Sequence, residues 1–160
     1  MVAPGLLLLR CVLATILAMH GSHILFGTSA GSGAGPGGIA HTAAYYASIG
    51  LAPATAFAVT AGVLRLAGAV LMAVGYFTRV MAGALLVLDY LELWKDAARW
   101  GFFLNAVNDP TRGNGMEYAL LVAGVLACLL LTGAGDWSID GVRAQGAATR
   151  AAGRARLRRP

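Results

Sequence analysis

PATAFAVTAGVLRLAGAVLMAVGY, residues 53–76, is the stretch of sequence that decides the fold of this chain. Its only charged side chain is that of Arg65, near its middle. The hydrocarbon core of a bilayer is about 30 Å thick, and a helix of roughly 20 apolar residues crosses it. Residues 53–76 are therefore long enough and apolar enough to form a transmembrane helix.

The composition of the whole chain agrees with this interpretation. The 160 residues are 58% hydrophobic and 12% charged, whereas soluble domains are about 45–50% apolar and about 25% charged. Because a soluble globule of this size could not cover its surface with so few charges, a soluble enzyme domain, a disordered chain and a nucleic-acid-binding module do not fit. The sequence predicts an all-α polytopic membrane protein, an antiparallel bundle of four transmembrane helices at residues 6–26, 53–76, 79–99 and 116–134.

The distribution of basic residues predicts the orientation, because lysine and arginine in short loops stay on the cytoplasmic side. Residues 27–52 contain neither, whereas residues 141–160 contain six arginines and no acidic residue. We therefore expect both termini to be cytoplasmic, in a bacterial inner membrane. We also expect the first span to be retained rather than cleaved as a secretion signal, since no basic residue precedes its apolar core.

Two segments outside the spans have their own character. Tyr45 and Tyr46 lie in residues 40–49, which are typical of a short interfacial helix in the first outer loop. Residues 141–160 are rich in alanine, glycine and arginine and poor in bulky apolar residues. They are predicted to be a disordered tail attracted to anionic lipid. The chain is thus divided into a four-span domain, residues 1–140, and a tail, residues 141–160.

Ionisable side chains inside the spans need partners, because each costs about 2.5–3.5 kcal/mol at a helix centre. Arg65 lies at the middle of the second span and Asp89 at the middle of the third. In an antiparallel hairpin centred near residues 77–78, position 65 faces position 90. We therefore predict a structural ion pair between Arg65 and Asp89, with a proton-transfer or ligand-binding role as the alternative. Arg10 is expected to snorkel to the cytoplasmic surface.

A second polar group is predicted at the outer end of the bundle. Glu92 lies one turn beyond Asp89, and His20 in the first span and Glu117 in the fourth reach a similar level. Histidine and carboxylate groups can form a structural hydrogen bond, exchange protons with a ligand such as a quinone, or bind a metal. His20, Glu92 and Glu117 are therefore candidate ligand-binding residues. No zinc-ligand spacing, phosphate-binding loop or nucleophile motif is present in the sequence.

Short motifs at fixed spacing carry a family resemblance over residues 5–141. They are LR at 9–10, HG at 20–21, LFG at 25–27, IGLAP at 49–53, GYFTR at 75–79, GFF at 101–103, GMEY at 115–118 and GAGDWSID at 133–140. In this order they resemble the DoxX-like family of small four-helix membrane proteins. The family commonly has glutamate in the second span where this chain has Arg65.

The resemblance implies a function in membrane redox chemistry. The family takes its name from a subunit of a thiosulfate:quinone oxidoreductase, and other members are linked to membrane redox or oxidative-stress complexes. We therefore expect an accessory subunit of a quinone-linked system, with quinone as its non-covalent ligand and a redox subunit as its partner, but we do not transfer thiosulfate oxidation. The alternative is a non-catalytic scaffold that docks a soluble partner. A small-solute carrier is disfavoured, because four spans leave little room for a pathway without a homo-oligomer.

Overall fold

A computed structural model describes residues 2–27, 37–105, 109, 111 and 113–157. In these residues the protein contains α-helices and no β-strand, which confirms the predicted all-α class. A short 3-10 turn, Ala97–Trp100, follows the fourth helix. The helices are α1 (Val2–Phe26), α2 (Ile39–Ser48), α3 (Ala54–Val74), α4 (Thr78–Lys95), α5 (Glu117–Thr132) and α6 (Ile139–Leu157).

Four of these helices, α1, α3, α4 and α5, coincide with the four predicted spans. By length and composition, α1 and α3 are able to cross a membrane, and α5 is apolar but shorter. The remaining helix of this group, α4, ends at Lys95, four residues before the predicted end of its span. The loop between α1 and α2 begins with a glycine-rich segment, Gly27 to Gly38. Most of this segment, namely residues 28–36, lies outside the described residues.

Small residues allow α1 to lie close along α3. A Cβ added at Gly21 would be 2.7 Å from the backbone nitrogen of Leu66, and one at Gly62 would be 2.7 Å from the side chain of Leu25. Close approach through small residues is the usual way in which membrane helices associate. The main apolar core lies between α1, α3, α4 and α5, with Leu13, Leu17, Met72, Leu85, Leu126 and Leu129 at its centre.

A second apolar cluster holds α2 on α3. Tyr46 is buried with Ile49 and Leu51, and this group packs against Ile24 of α1 and Ala58 of α3. The predicted helix at residues 40–49 is therefore present as α2. Its packing brings Tyr45 and Tyr46 to the end of the bundle at which α1 terminates.

The prediction of a disordered tail after residue 140 is wrong as far as residue 157, because Ile139–Leu157 forms α6. Alanine and arginine are among the strongest helix formers. The lack of bulky apolar residues, on which the prediction depended, prevents the segment from forming a core but not from forming a helix. Residues 142–154 of α6 are exposed.

Arg10 does not snorkel, because it is fully buried. Its Nη2 donates a hydrogen bond of 2.6 Å to the carbonyl oxygen of Trp137. Trp137 lies in the segment between α5 and α6. The Asp140 carboxylate accepts the backbone N–H groups of Phe77 and Thr78 at 3.1 and 2.9 Å, and its own N–H donates to the carbonyl oxygen of Gly75 at 2.9 Å. We call Arg10, Gly75, Thr78, Trp137 and Asp140 the terminal clasp.

Candidate functional site

A cavity of about 530 Å³ lies at the end of the bundle opposite the terminal clasp. Side chains of α1, α2, α3, α4 and α5 line it, together with parts of the segment between α4 and α5. Leu17 and Val122 form the apolar wall of the cavity where it borders the main apolar core. The polar side chains that matter for its chemistry are His20, Tyr45, Arg65, Asp89, Glu92 and Tyr118.

The central contact of the cavity is an ion pair between Arg65 and Glu92. Arg65 Nη2 lies 2.5 Å from Glu92 Oε2, and the two side chains are 13% and 22% exposed. The hydroxyl of Tyr46 donates a second hydrogen bond of 2.5 Å to Glu92 Oε1. Both oxygens of the Glu92 carboxylate are thus bonded, one to a cation and one to a phenol.

The predicted pair between Arg65 and Asp89 is therefore wrong by one helical turn. Position 65 faces position 90 along the backbone of the hairpin, but the long arginine side chain reaches one turn further along α4 and contacts Glu92. Tyr46 also holds Glu92 in position through its hydrogen bond. Tyr46 belongs to α2, and the sequence did not indicate where α2 packs. The sequence thus identified the correct cation and the correct helix but the wrong carboxylate.

Asp89 lines the same cavity with an unsatisfied oxygen. Among the described residues, neither Asp89 Oδ2 nor Arg65 Nη1 has a hydrogen-bond partner, although both atoms are buried. Leaving a buried polar group without a partner costs about 1–3 kcal/mol, so such groups mark places where water, a proton or a ligand completes the bonding. Two residues that line the cavity therefore hold one unpartnered donor and one unpartnered acceptor, both buried.

His20 and Tyr118 form the aromatic wall of the cavity. Their rings are stacked, with centroids 6.0 Å apart and planes 17° from parallel. The Nδ1 atom of His20 lies 2.9 Å from the carbonyl oxygen of Ile16. Since a carbonyl only accepts, Nδ1 is the donor in this bond, and Nε2 is left for another partner.

The structure separates the three candidate ligand-binding residues. His20 and Glu92 line the cavity. Glu117 is not part of the lining, and its Oε1 accepts the backbone N–H of Leu104 at 2.8 Å, so it holds the segment before α5. Sequence reasoning missed Tyr46 and Tyr118 as site residues. The only signal for Tyr46 was the pair of adjacent tyrosines, which indicated an interfacial helix rather than a site.

A second hydrogen-bonded cluster closes the rim of the cavity around Asp96. Tyr45 of α2 donates its hydroxyl to Asp96 Oδ2 at 2.5 Å, which ties α2 to the end of α4. Arg99 donates from Nε and Nη2 to Asp96 Oδ1 at 2.9 and 2.5 Å, and Trp100 Nε1 donates to the same oxygen at 3.0 Å. Asp96 thus links three elements at the rim.

These contacts shift the pKa values of Asp96 and Tyr45 in opposite directions. Burial acts to raise the pKa of the Asp96 carboxyl, but the hydrogen bonds from Tyr45, Trp100 and Arg99 outweigh it and hold this pKa below its ordinary value. Burial, followed by the hydrogen bond to Asp96, raises the pKa of the Tyr45 phenol. At neutral pH the carboxylate is therefore ionised and the phenol is protonated, as their hydrogen bond requires.

Asp96→Asn is expected to lower stability at neutral pH by no more than about 1 kcal/mol, because the rim is partly exposed. A folded-state pKa below the ordinary value of about 3.9 means that the ionised carboxylate stabilises the fold above that pH. The difference between the wild type and the variant should stay constant from neutral pH to about pH 5 and shrink as the pH falls below about 4. Thermal unfolding in detergent across this range measures it. Glu117→Gln is the control for general acid destabilisation, and a gap that closes at about pH 6 would contradict the assignment.

Among the residues that the structure describes, no group of three or more histidine, cysteine, aspartate or glutamate side chains is arranged to hold a metal ion. The DoxX family model matches residues 5–90 of the chain, from α1 through most of α4. The match includes Arg65, Asp89 and His20 and ends before Glu92. No curated protein and no solved structure shows a significant match to the chain.

Proposed function

This chain belongs to the DoxX family, and on that premise we propose that it is an accessory subunit of a membrane redox system that binds quinone in the cavity. Family membership and the apolar helices α1 and α3 indicate a membrane protein. We further propose that α4 and α5 also cross the membrane and that α2 lies at its outer interface. In this proposal the membrane is a bacterial inner membrane, and both termini lie in the cytoplasm.

The observation that carries the proposal is that two residues lining one cavity, Arg65 and Asp89, each keep a buried polar atom without a hydrogen-bond partner. Pockets for small molecules have volumes of about 300–1,000 Å³, apolar walls and a few convergent polar groups, and this cavity has all three features. A quinone head group has a flat ring and carbonyl oxygens that accept hydrogen bonds. Arg65 Nη1 is a donor for such an oxygen, and the His20–Tyr118 wall suits a flat ring.

The acidic residues of the cavity suit the reduced form of the same ligand. A quinol carries hydroxyl groups, for which Asp89 Oδ2 is a free acceptor. A bound quinone supplies the electron and proton exchange, while the chain supplies binding and a carboxylate beside the ligand. The residues given these roles are His20, Arg65 and Asp89, and the electron donor is assigned to a separate redox subunit.

His20→Ala and Asp89→Asn are expected to weaken binding of the quinol form about tenfold, because the first removes the Nε2 acceptor and the second replaces a charged acceptor by a weaker amide oxygen, a loss of about 1.5 kcal/mol in each case. The measurement is titration of the purified protein in nanodiscs with a short-chain benzoquinol under reducing conditions. Binding is followed by tryptophan fluorescence, to which Trp100 at the rim contributes, and by extraction of retained quinone.

Glu117→Gln is the matched control, since Glu117 lies outside the cavity and its variant should bind quinone as the wild type does. Thermal unfolding of each variant establishes that it is folded. A wild-type protein that neither binds the benzoquinol nor retains quinone on purification would overturn the proposal. So would a Glu117→Gln variant that loses binding while His20→Ala and Asp89→Asn keep it.

A further inference from the structure

The helix α6 leaves the bundle at the terminal clasp and then becomes exposed. Asp140 in its first turn binds the backbone at the start of α4 and the carbonyl of Gly75. From residue 142 to residue 154, every residue is exposed. The root of α6 is therefore fixed to the bundle, while the helix beyond it presents an open surface.

Three arginines form a stripe along this surface. Arg143, Arg150 and Arg154 are seven and four residues apart, and with 3.6 residues per turn they lie within about 40° of one another around the helix. Asp140 is the only acidic residue in α6, and its carboxylate is already occupied in the clasp. The stripe therefore carries positive charge that its own helix does not neutralise.

The surroundings of the stripe at the root of α6 are those of a membrane surface. Trp137, Val142 and Phe77 are 61%, 65% and 51% exposed. The Arg143 guanidinium lies over the Tyr76 ring, 5.4 Å from its centroid. Tryptophan and tyrosine are enriched where a protein crosses from hydrocarbon to water, and a basic helix beside exposed apolar residues is typical of interfacial helices.

We propose that α6 is a surface helix whose Arg143, Arg150 and Arg154 stripe binds the phosphate groups of anionic phospholipids. Charge complementarity carries the choice of partner, because arginine binds phosphate through paired hydrogen bonds and the inner leaflet is anionic. Each basic residue near such a surface increases affinity about fivefold, so that three together contribute about a hundredfold. The inference shares with the proposed function the placement of α1 and α3 in a membrane and of the C-terminus in the cytoplasm, but it does not depend on quinone.

Amide hydrogen exchange of the full-length protein tests this inference. The protein is placed in nanodiscs of phosphatidylcholine alone or of phosphatidylcholine mixed with phosphatidylglycerol. We expect the amides of residues 142–154 to exchange about tenfold more slowly in the anionic discs, and high salt should remove the difference. Equal exchange in the two kinds of disc would overturn the proposal, as would protection that does not depend on lipid charge, which would indicate a different occupant.

Two variants separate the stripe from net charge. In Arg143→Gln/Arg150→Gln/Arg154→Gln, the lipid dependence should disappear. The matched control Thr149→Arg/Arg150→Thr/Ala151→Arg/Arg154→Ala keeps the composition and the net charge, but it places the three arginines at about 0°, 80° and 240° around the helix. It should lose most of the lipid dependence too, and a control that behaves like the wild type would contradict a role for the stripe. Exchange in α1 and α3 and quinone retention are measured on the same samples, so that misfolding and failure of the proposed function are recognised separately.

Discussion

Arg65→Met is expected to destabilise the protein by about 3–5 kcal/mol, the usual cost of removing one partner of a buried ion pair. In the wild type the Arg65 guanidinium contacts the Glu92 carboxylate and lines the same cavity as Asp89. Without it, the two carboxylates face the cavity and lose the positive charge that offsets them. Thermal or denaturant unfolding in detergent, followed by circular dichroism, measures the loss. Arg79→Met, at the exposed start of α4, is the control for removal of an arginine from the surface.

Double variants identify the partner. Arg65→Met/Glu92→Gln should recover a large part of the stability, because it removes the charge that the single change leaves unpaired, and the amide oxygen of the new side chain can still accept the Tyr46 hydroxyl. Arg65→Met/Asp89→Asn should recover less, since Asp89 does not form the ion pair. Greater recovery through Asp89 would show that the pair predicted from sequence forms in the membrane in place of the pair with Glu92.

The helices were predictable because their apolar stretches are long and contain few charged residues. The predicted spans match α1, α3, α4 and α5 to within a few residues. The positions of His20, Glu92 and Glu117 along them predicted a polar group at one end, where His20 and Glu92 line the cavity and Glu117 does not. The sequence could not specify which side chains touch. That choice depends on side-chain reach and on α2, a helix from a different loop, which supplies Tyr46 and Tyr45.

Contacts between distant parts of the chain were the least predictable. Arg10 is separated by 127 positions from its acceptor, the carbonyl of Trp137. A backbone carbonyl has no sequence signature, so a charged residue near a helix end was naturally interpreted as snorkelling. The DWSID motif at residues 136–140 was recognised only as part of a resemblance. Its physical role is to bind Arg10 and the turn between α3 and α4.

The two buried arginines indicate different roles for the two ends of the bundle. Arg65 lines a cavity, so a ligand bound there would lie beside its ion pair with Glu92. Arg10 is fully buried, and the backbone of Gly75 closes over it. Substitutions around Arg65 should therefore affect binding as well as stability, whereas substitutions in the terminal clasp should affect stability.

Gly75→Ala is expected to destabilise the protein by roughly 2–5 kcal/mol, an unusually large effect for one methyl group. Gly75 ends α3 in the left-handed conformation, with φ 68° and ψ 47°, which costs a residue with a Cβ about 1–2 kcal/mol. That Cβ would also overlap Arg10 Nη1 and the Ser138 side chain, and overpacking adds about 1–3 kcal/mol. Unfolding in detergent measures the change.

A control and a second background divide this cost between its two causes. Gly124→Ala adds the same methyl group within α5, where no atom lies within 4 Å, and should stabilise the helix by about 0.5–1 kcal/mol. In an Arg10→Met background the flexible, uncharged side chain can move away, so Gly75→Ala should cost less than in the wild type, although the left-handed conformation and the contact with Ser138 Cβ still contribute. An equal cost in both backgrounds would mean that Arg10 does not pack under Gly75, and the terminal clasp would then lose its central contact.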